Sequence, residues 1–424
     1  MTNRPTSQPV ALVLGGVSPH IAVIERLKSL GYWTALADYK DAPPAADYAD
    51  EHLQISTLDA EAVEQAARDL NAQAVISVCL DQPLPILAQV RQALGIASPL
   101  TPVAAHRLTN KDAMKQVLRE GGVDTAKWII ADRPEAVKDA VNTDGLRFPV
   151  VAKPVGGTGS LGVVFAADEA ALTEQLDQSF AMARGGDVLV EEFVEGMELS
   201  IDCIVIEGKT HVLLARERHK TWFSEGREAT CHATLAPARQ TPEIETLMQE
   251  QAEACARAFE LSDGPMLIQS ILTQDGRLVV LEVAGRIGGG PGANRVVELV
   301  TGFDYVGASI DQQLGRAVAF ETNPDSRVFS ANNAYASEGV FDRVTGMDAL
   351  LADGLVEEHY IYRMQGEDIS DHLSGRSRVT AFVVAAETHD ALRDRLVQIY
   401  DRLDILDTSG RSILRRDIGL HHDL

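Results

Sequence analysis

The sequence predicts an α/β protein whose residues 1–108 form a doubly wound, Rossmann-like domain. Three observations carry that reading. Short apolar runs alternate with helix-period segments, the connections are only a few residues long, and a glycine pair follows the first run. Residues 10–14 (Val-Ala-Leu-Val-Leu) read as a strand, closed by Gly15-Gly16. A helical pattern follows over 21–30, and Gly31 stops it. Residues 32–37 are a second strand ending beside Asp38, 54–56 a short strand, 59–70 a helix, 74–79 a strand and 83–94 a helix. Unbroken apolar strands suit a parallel sheet covered by helices on both faces.

The texture changes at Thr109. Asn110-Lys111-Asp112 opens a helix to Glu120, which Gly121-Gly122 stops. Strands are expected over 128–131, 148–153, 162–165 and 188–190, with helices over 135–141 and 169–183. Residues 199–206 and 210–215 flank Glu207-Gly208-Lys209 as a hairpin, and 266–272 and 278–283 form a second one. A long amphipathic helix covers 243–259, and the glycine-rich 285–292 leads into a helix near 294–301. Beyond about residue 318 the pattern is mixed, with a strand over 379–385 and a helix over 388–403. The 239–263 helix and the 322–330 segment are expected to connect lobes.

Composition narrows the function. The 424 residues hold 38 Lys and Arg against 62 Asp and Glu, a net charge of −24. Such a surface repels phosphate backbones and anionic membranes, which argues against a nucleic-acid or membrane partner. It leaves room for a small anion in a local basic pocket. The four cysteines (Cys79, Cys203, Cys231 and Cys255) show no C-x-x-C pairing and read as buried, reduced thiols. No apolar run approaches a membrane span and the N-terminus lacks a signal-peptide core, so a cytoplasmic protein is expected.

Four segments carry chemistry. The first is Lys153 at a strand end, followed by Gly156-Gly157-Thr158-Gly159-Ser160-Leu161-Gly162. Glycines let the backbone aim N–H groups at anionic oxygens, and the lysine adds a point charge. Gly157 and Gly162 have P-loop spacing, but Val163 stands where Lys-Ser or Lys-Thr is required, so the P-loop reading fails. A plain turn remains open for this loop taken alone. The second is the acidic linker from Glu191 to Glu198, suited to a flat base but equally readable as a solvated turn. The third pairs Gln269 and Glu282 on adjacent strands of one hairpin, with Arg286 and Gly288-Gly289-Gly290 just beyond. Magnesium on nucleotide phosphates needs only one or two protein carboxylates. A structural hairpin with a salt bridge is the alternative. The fourth is the basic cluster Arg216-Glu217-Arg218-His219-Lys220, either a solvated face or an anion-recognition site.

In the order Lys111, Lys153 with its glycine loop, Glu191 to Glu198, Gln269, Glu282 and Arg286, the chain resembles the ATP-grasp superfamily. Within it, the resemblance is to carboxylate–amine ligases akin to carbamoyl phosphate synthase and the L-amino acid ligases. It covers nearly the whole chain. Gly-Gly-Val-Ser-Pro-His (15–20) and Tyr-Ala-Asp-Glu-His (48–52) look like a pre-ATP-grasp domain, and 379–403 like a small C-terminal lobe. The resemblance implies an N-terminal doubly wound pre-ATP-grasp domain over 1–108. A two-lobed ATP-grasp region over 109–318 would follow, its flap-bearing lobe at about 148–210, and then a small C-terminal α/β lobe over 319–424.

The resemblance also implies roles. Lys111 and Lys153 would contact the phosphates of ATP, with Gly157, Thr158, Gly159, Ser160 and Gly162 in a flap over them. Glu191 would take the adenine amine, the linker Glu192-Phe193-Val194 would lie against the ring, and Glu198 would bind the ribose. Gln269 and Glu282 would hold Mg2+ (or Mn2+), and Arg286 with Lys153 would act on the transferred phosphoryl group. The usual Glu-x-Asn-x-Arg pattern has Ala284 at its Asn position, and alanine cannot ligate a metal. On the substrate side the candidates are Arg216, Arg218, Lys220, His232, Gly289, Asn294 and Arg295, with Asp81 after the third strand of the first domain. The implied activity joins a small carboxylate to an amine through an acyl phosphate, in a homodimer. The alternatives are a carboxylase or formyl/carbamoyl-type enzyme of the same superfamily, or an inactive nucleotide-binding protein.

Overall fold

The computed structural model describes residues 7–156, 162–183, 185–223, 228–369 and 377–422. The first unit follows the expected alternation. Strand β1 (Val10–Leu14) is buried along its length, helix α1 (Pro19–Ser29) has proline in its first turn, and β2 (Trp33–Ala37) runs parallel to β1. β3 (Glu51–Leu53), α2 (Ala60–Asp69), β4 (Ala74–Ile76) and α3 (Leu84–Leu94) follow. The four strands form one parallel sheet in the order β3-β2-β1-β4. The third strand lies at 51–53 instead of 54–56, because these residues pair with Ala35 to Ala37.

Helices α4 (Pro102–Thr109) and α5 (Lys111–Glu120) lead out of this unit. Thr101 and Asn110 cap them, accepting from the amides of Ala104 (3.1 Å) and Ala113 (3.0 Å). A small lobe then forms from β5 (Trp128–Ala131), α6 (Pro134–Asp144), β6 (Val150–Pro154), β7 (Val164–Ala166), α7 (Glu169–Ala183) and β8 (Val188–Glu192). Its antiparallel sheet has the order β5-β8-β6-β7, and α6 and α7 cover it through Val137, Val141, Leu172 and Leu176. The lobe's strands thus span 128–192, not 148–210. The chain leaves it at Glu192 because the next strand belongs to another sheet.

That sheet is built from β9 (Met197–Ile206), β10 (Lys209–Phe223), β11 (Glu228–Ala236), then, after α8 (Pro242–Ala258), β12 (Gly264–Leu272) and β13 (Leu278–Ala284). Helices α9 (Val297–Thr301) and α10 (Tyr305–Gln313) precede β14 (Val328–Tyr335), β15 (Gly339–Thr345), α11 (Met347–Ala352) and β16 (Glu358–Ile361). The chain ends with β17 (Asp368–Ile369), β18 (Arg378–Ala386), α12 (His389–Arg402) and β19 (Asp404–Asp407). Eight strands form one antiparallel sheet in the order β13-β12-β9-β10-β11-β14-β18-β16, and β17-β15-β19 form a small one.

In the C-terminal lobe, β14, β16 and β18 extend the central sheet. One expectation is corrected here. Helix α8 is no connector: its Met248, Ala252, Cys255 and Ala256 are buried against Ile201, Cys203, Ile268 and Val280. The N-terminal unit docks through Ile24 and Leu27 of α1, in one apolar cluster with Phe303, Ile310, Phe329 and Val383. All four cysteines are free, as expected, with Cys79, Cys203 and Cys255 buried. Among the described residues no helix is long and apolar enough to cross a membrane.

Candidate active site

Between the small lobe and the central sheet lies a cavity of about 550 Å³. Strand alternation builds its floor: Glu198 and Ser200 of β9, Arg216, Arg218 and Lys220 of β10, Gln269 of β12 and Glu282 of β13 all line it. Gln269 stands opposite Glu282, and Ser200 opposite both Gln269 and Arg216, so these four residues form one row across four strands. The roof comes from Val151, Lys153 and Phe165 of the small lobe and from Glu191 to Val194. The turn from roof to floor requires Gly196: its φ is +156°, and a Cβ there would lie 2.3 Å from the Leu272 carbonyl oxygen.

The roof holds a buried charge cluster. Lys153 on β6 and Glu191 on the neighbouring β8 share a face and form an ion pair. On the other side, Lys115 Nζ lies 2.8 Å from Glu191 Oε2 and donates to Thr125 Oγ1 at 2.7 Å. Glu191 is only 4% exposed. Burial alone would push its carboxyl up, but the charges of Lys115 and Lys153 outweigh burial and hold it at about 2. This corrects the expectation that Glu191 reaches the adenine amine: its carboxylate is committed to two lysines. Lys115 was missed in the sequence, although it lies one turn from Lys111 on α5 and the two therefore share a face. Lys111 donates to the Val155 carbonyl (3.3 Å), and burial lowers its pKa against the opposing charge of Glu282.

The linker also differs in detail. The Glu192 amide donates to the Lys127 carbonyl (3.0 Å) and the Phe193 amide to the Pro149 carbonyl (2.9 Å), so neither N–H is offered to a base. The Glu192 carboxylate accepts from the Arg147 amide (3.0 Å) and guanidinium (Nη2, 3.1 Å). The Phe193 ring meets Phe165 edge-on at 5.1 Å.

On the floor the cations are paired. Arg216 Nε lies 2.7 Å from Asp202 Oδ2, and both side chains are buried. Arg218 Nε and Lys220 Nζ lie 2.7 and 2.5 Å from the two oxygens of Glu198. Burial would raise the Glu198 carboxyl, and the two cations hold it below the ordinary range instead. Each Glu198 oxygen keeps a second lone pair for a hydroxyl donor. Arg216, offered above as an anion binder, is neutralised by Asp202 inside the fold. A Cβ on Gly292 would sit 2.5 Å from Arg216 Nη1, so the glycine turn packs directly on this guanidinium.

Arg286 points back to the N-terminal unit. Its Nε lies 2.7 Å from Asp81 Oδ1, its Nη2 also pairs with Asp81, and Nη1 donates to the Ile287 carbonyl (3.1 Å). Asp81, Lys111, Arg286 and Gly288 to Gly292 all line the same cavity.

Four expected residues do not line it. His232 is 2% exposed and its Nδ1 lies 3.0 Å from Thr221 Oγ1, as befits a core histidine of β11. Arg295 pairs with Glu298 (2.8 Å) and Glu358. Asn294 sits beside it in the turn before α9, outside the cavity. Gly162 packs on Met182 and Pro154 with φ +72°. Gly157, Thr158, Gly159 and Ser160 lie outside the described residues. Arg378 and Asn333, which no sequence signal singled out, do line the cavity.

The oxygens of Gln269 and Glu282 fit one hard cation bound together with phosphates. The position of Ala284, 3% exposed, offers no third side-chain oxygen. Among the described residues no cluster of three or more His, Cys, Asp or Glu suited to a metal occurs.

The small lobe and the central sheet thus form a two-lobed clamp around a basic, glycine-edged cavity. Residues 146–294 match the family model of the ATP-grasp domain. An L-arginine-specific L-amino acid ligase of Bacillus subtilis is 25% identical over 239 residues, 55% of this chain and 56% of that protein. A D-alanine–D-alanine ligase of Bacillus anthracis is 25% identical over 175 residues, 41% of this chain and 55% of that protein. The chain thus spans just over half the length of these curated relatives. The crystal structure of an L-amino acid ligase from Bacillus licheniformis superposes with a TM-score of 0.79 at 20% identity, covering 95% of this chain and 100% of that one. At that identity the likeness speaks for the fold.

Proposed function

We propose that this chain is an ATP-dependent carboxylate–amine ligase, forming an amide or peptide bond and releasing ADP and phosphate. The observation that carries the reading is the meeting of Lys111, Lys153, Gln269, Glu282 and Arg286 in one cavity, edged by the 191–194 linker and the glycine turn. The likeness to amino acid ligases supports it. In this reading the base lies along the linker, with Val194 supplying the backbone donor, and the ribose hydroxyls meet Glu198. Lys111 and Lys153 fix the phosphate tail. Gln269 and Glu282 would hold Mg2+ (Mn2+ in the same place), which supplies positive charge against the phosphates.

The chain's own task is alignment and charge neutralisation. A substrate carboxylate oxygen attacks the γ-phosphorus, and the bond to the β-phosphate oxygen breaks to give ADP. The amine then attacks the acyl carbon of the acyl phosphate and phosphate leaves. Lys153 and Arg286 face the charge that develops on the transferred group. The small lobe keeps water from the acyl phosphate. No nucleophilic side chain is required.

A screen of amino acids and small acids in pairs, reading phosphate release with mass detection of product, tests this. ADP release that requires both an acid and an amine is expected. Bicarbonate-dependent release without an amine would move the assignment to a carboxylase. A second reading rests on Ala284: nucleotide binding by calorimetry with no phosphate release across the whole panel favours a protein that binds without turnover.

A further inference from the structure

Arg378 opens β18 and lines the cavity far from the metal-binding pair. Strands β9, β10, β11 and β14 lie between β12, which carries Gln269, and β18. Five strand spacings amount to about 24 Å along the sheet. The guanidinium lies over the Tyr362 ring, 4.2 Å from its centroid, which holds the fork in place. Its Nε is buried and has no hydrogen-bond partner among the described residues.

The contrast with the other cations of the cavity is chemical. Lys153, Arg216, Arg218, Lys220 and Arg286 each lie on a carboxylate, and Lys111 donates to the Val155 carbonyl. Arg378 lies on none among the described residues. A guanidinium that lines the cavity with no carboxylate on it is matched best by a planar, two-oxygen anion. The phosphates of ATP are assigned to the opposite margin of the cavity, at Lys153 and Glu282.

We propose that Arg378 binds a carboxylate that one of the two substrates carries in addition to the groups that react. The inference rests on the ligase reading and deepens it. The substrate class is then either a dicarboxylic acid as the activated partner or an amino acid as the attacking amine. Both present the same planar anion to Arg378, and the turnover experiment below separates them.

The test begins with calorimetry at saturating Mg2+ and a non-hydrolysable ATP analogue. The probes are succinate and glutarate against their monomethyl esters, and L-alanine and L-lysine against their amides. At least one free acid is expected to bind the wild type, with its capped form roughly tenfold or more weaker. Arg378→Gln should bind both forms alike, and Arg378→Lys should restore part of the difference, because it keeps the charge but not the fork. Equal binding of capped and free probes by the wild type, no binding of any probe, or undiminished discrimination by Arg378→Gln would each overturn the proposal.

With an active substrate pair, Arg378→Gln should raise one KM and spare that of ATP. A rise confined to the acid assigns the carboxylate to the acid; a rise confined to the amine assigns it to the amine; unchanged values for both contradict the proposal. Arg378-dependent probe binding without ADP formation from any pair would overturn the ligase reading and leave this site standing. ADP formation indifferent to capping and to Arg378 would do the reverse.

Discussion

Arg286 and Asp81, 205 residues apart in sequence, form a two-point ion pair that fastens the glycine turn after β13 to the loop after β4. Burial would lower the Arg286 guanidinium, and Asp81 more than offsets it, so the charge is secured at every working pH. In the proposed function this pair would position Arg286 toward the transferred phosphoryl group. Arg286→Ala should lower kcat by roughly 10²–10³ while leaving ATP affinity nearly intact. Asp81→Asn should lower it by about tenfold, and the double variant should lose less than the product of the two, because both act through one guanidinium. Single-turnover kinetics with calorimetry of ATP binding reads this out. Wild-type turnover by Arg286→Ala would remove its assigned role.

The two lysines on Glu191 should separate by function. Lys115 is 1% exposed and its ammonium meets only Glu191 and Thr125 among the described residues. Lys115→Met should destabilise the fold by about 3 kcal/mol, measured by urea denaturation, because a buried carboxylate loses one of its cations. Lys153 is partly open to the cavity. Lys153→Met should instead raise the KM for ATP by at least about tenfold. Equal effects of both variants on KM would argue against this division.

Stability should fall with acid in two legs. Burial pushes the His20 imidazole down from 6.5 to about 4, so only the unfolded chain gains its proton between those values. Stability from His20 is full above pH 6.5 and is lost as pH falls toward 4. Glu191, lowered from 4.5 to about 2, contributes stability above pH 4.5 that is lost as pH falls toward 2. Glu217, held at about 2 against burial by His219 and Arg239, adds to the second leg. Denaturation of His20→Leu should show a flatter slope between pH 6.5 and about 4 and an unchanged slope below. An unaltered upper leg would contradict the assignment.

Ala284 predicts an unusual metal dependence. In the proposed site Gln269 and Glu282 would be the ion's protein ligands, with phosphates and water completing its shell. Ala284→Asn adds one oxygen ligand, so half-saturating Mg2+ for ATP-analogue binding should drop severalfold. A titration of Mg2+ at fixed analogue measures it, and no change would mean that residue 284 does not face the ion.

The parallel sheet and the lysine, linker and hairpin segments were legible because each rests on local pattern: an apolar period, a glycine at a turn, a fixed spacing. What escaped depends on partners distant in sequence. Nothing in the 216–220 run says that Arg216 meets Asp202 while Arg218 and Lys220 share Glu198; that follows from the β9–β10 register. Lys115 reads as a surface lysine until β8 brings Glu191 to it. The lobe boundary slipped because a strand's length can be read locally but its choice of sheet cannot. Arg378 reached the cavity only because the C-terminal strands joined the central sheet.

The most direct measurement is a crystal structure with Mg2+ and a non-hydrolysable ATP analogue. The expected result is the base against Phe193 and Val194, the phosphate tail between Lys153 and Glu282, and one metal ion on Glu282. Analogue bound elsewhere, or a cavity still empty at saturating concentration, would contradict it.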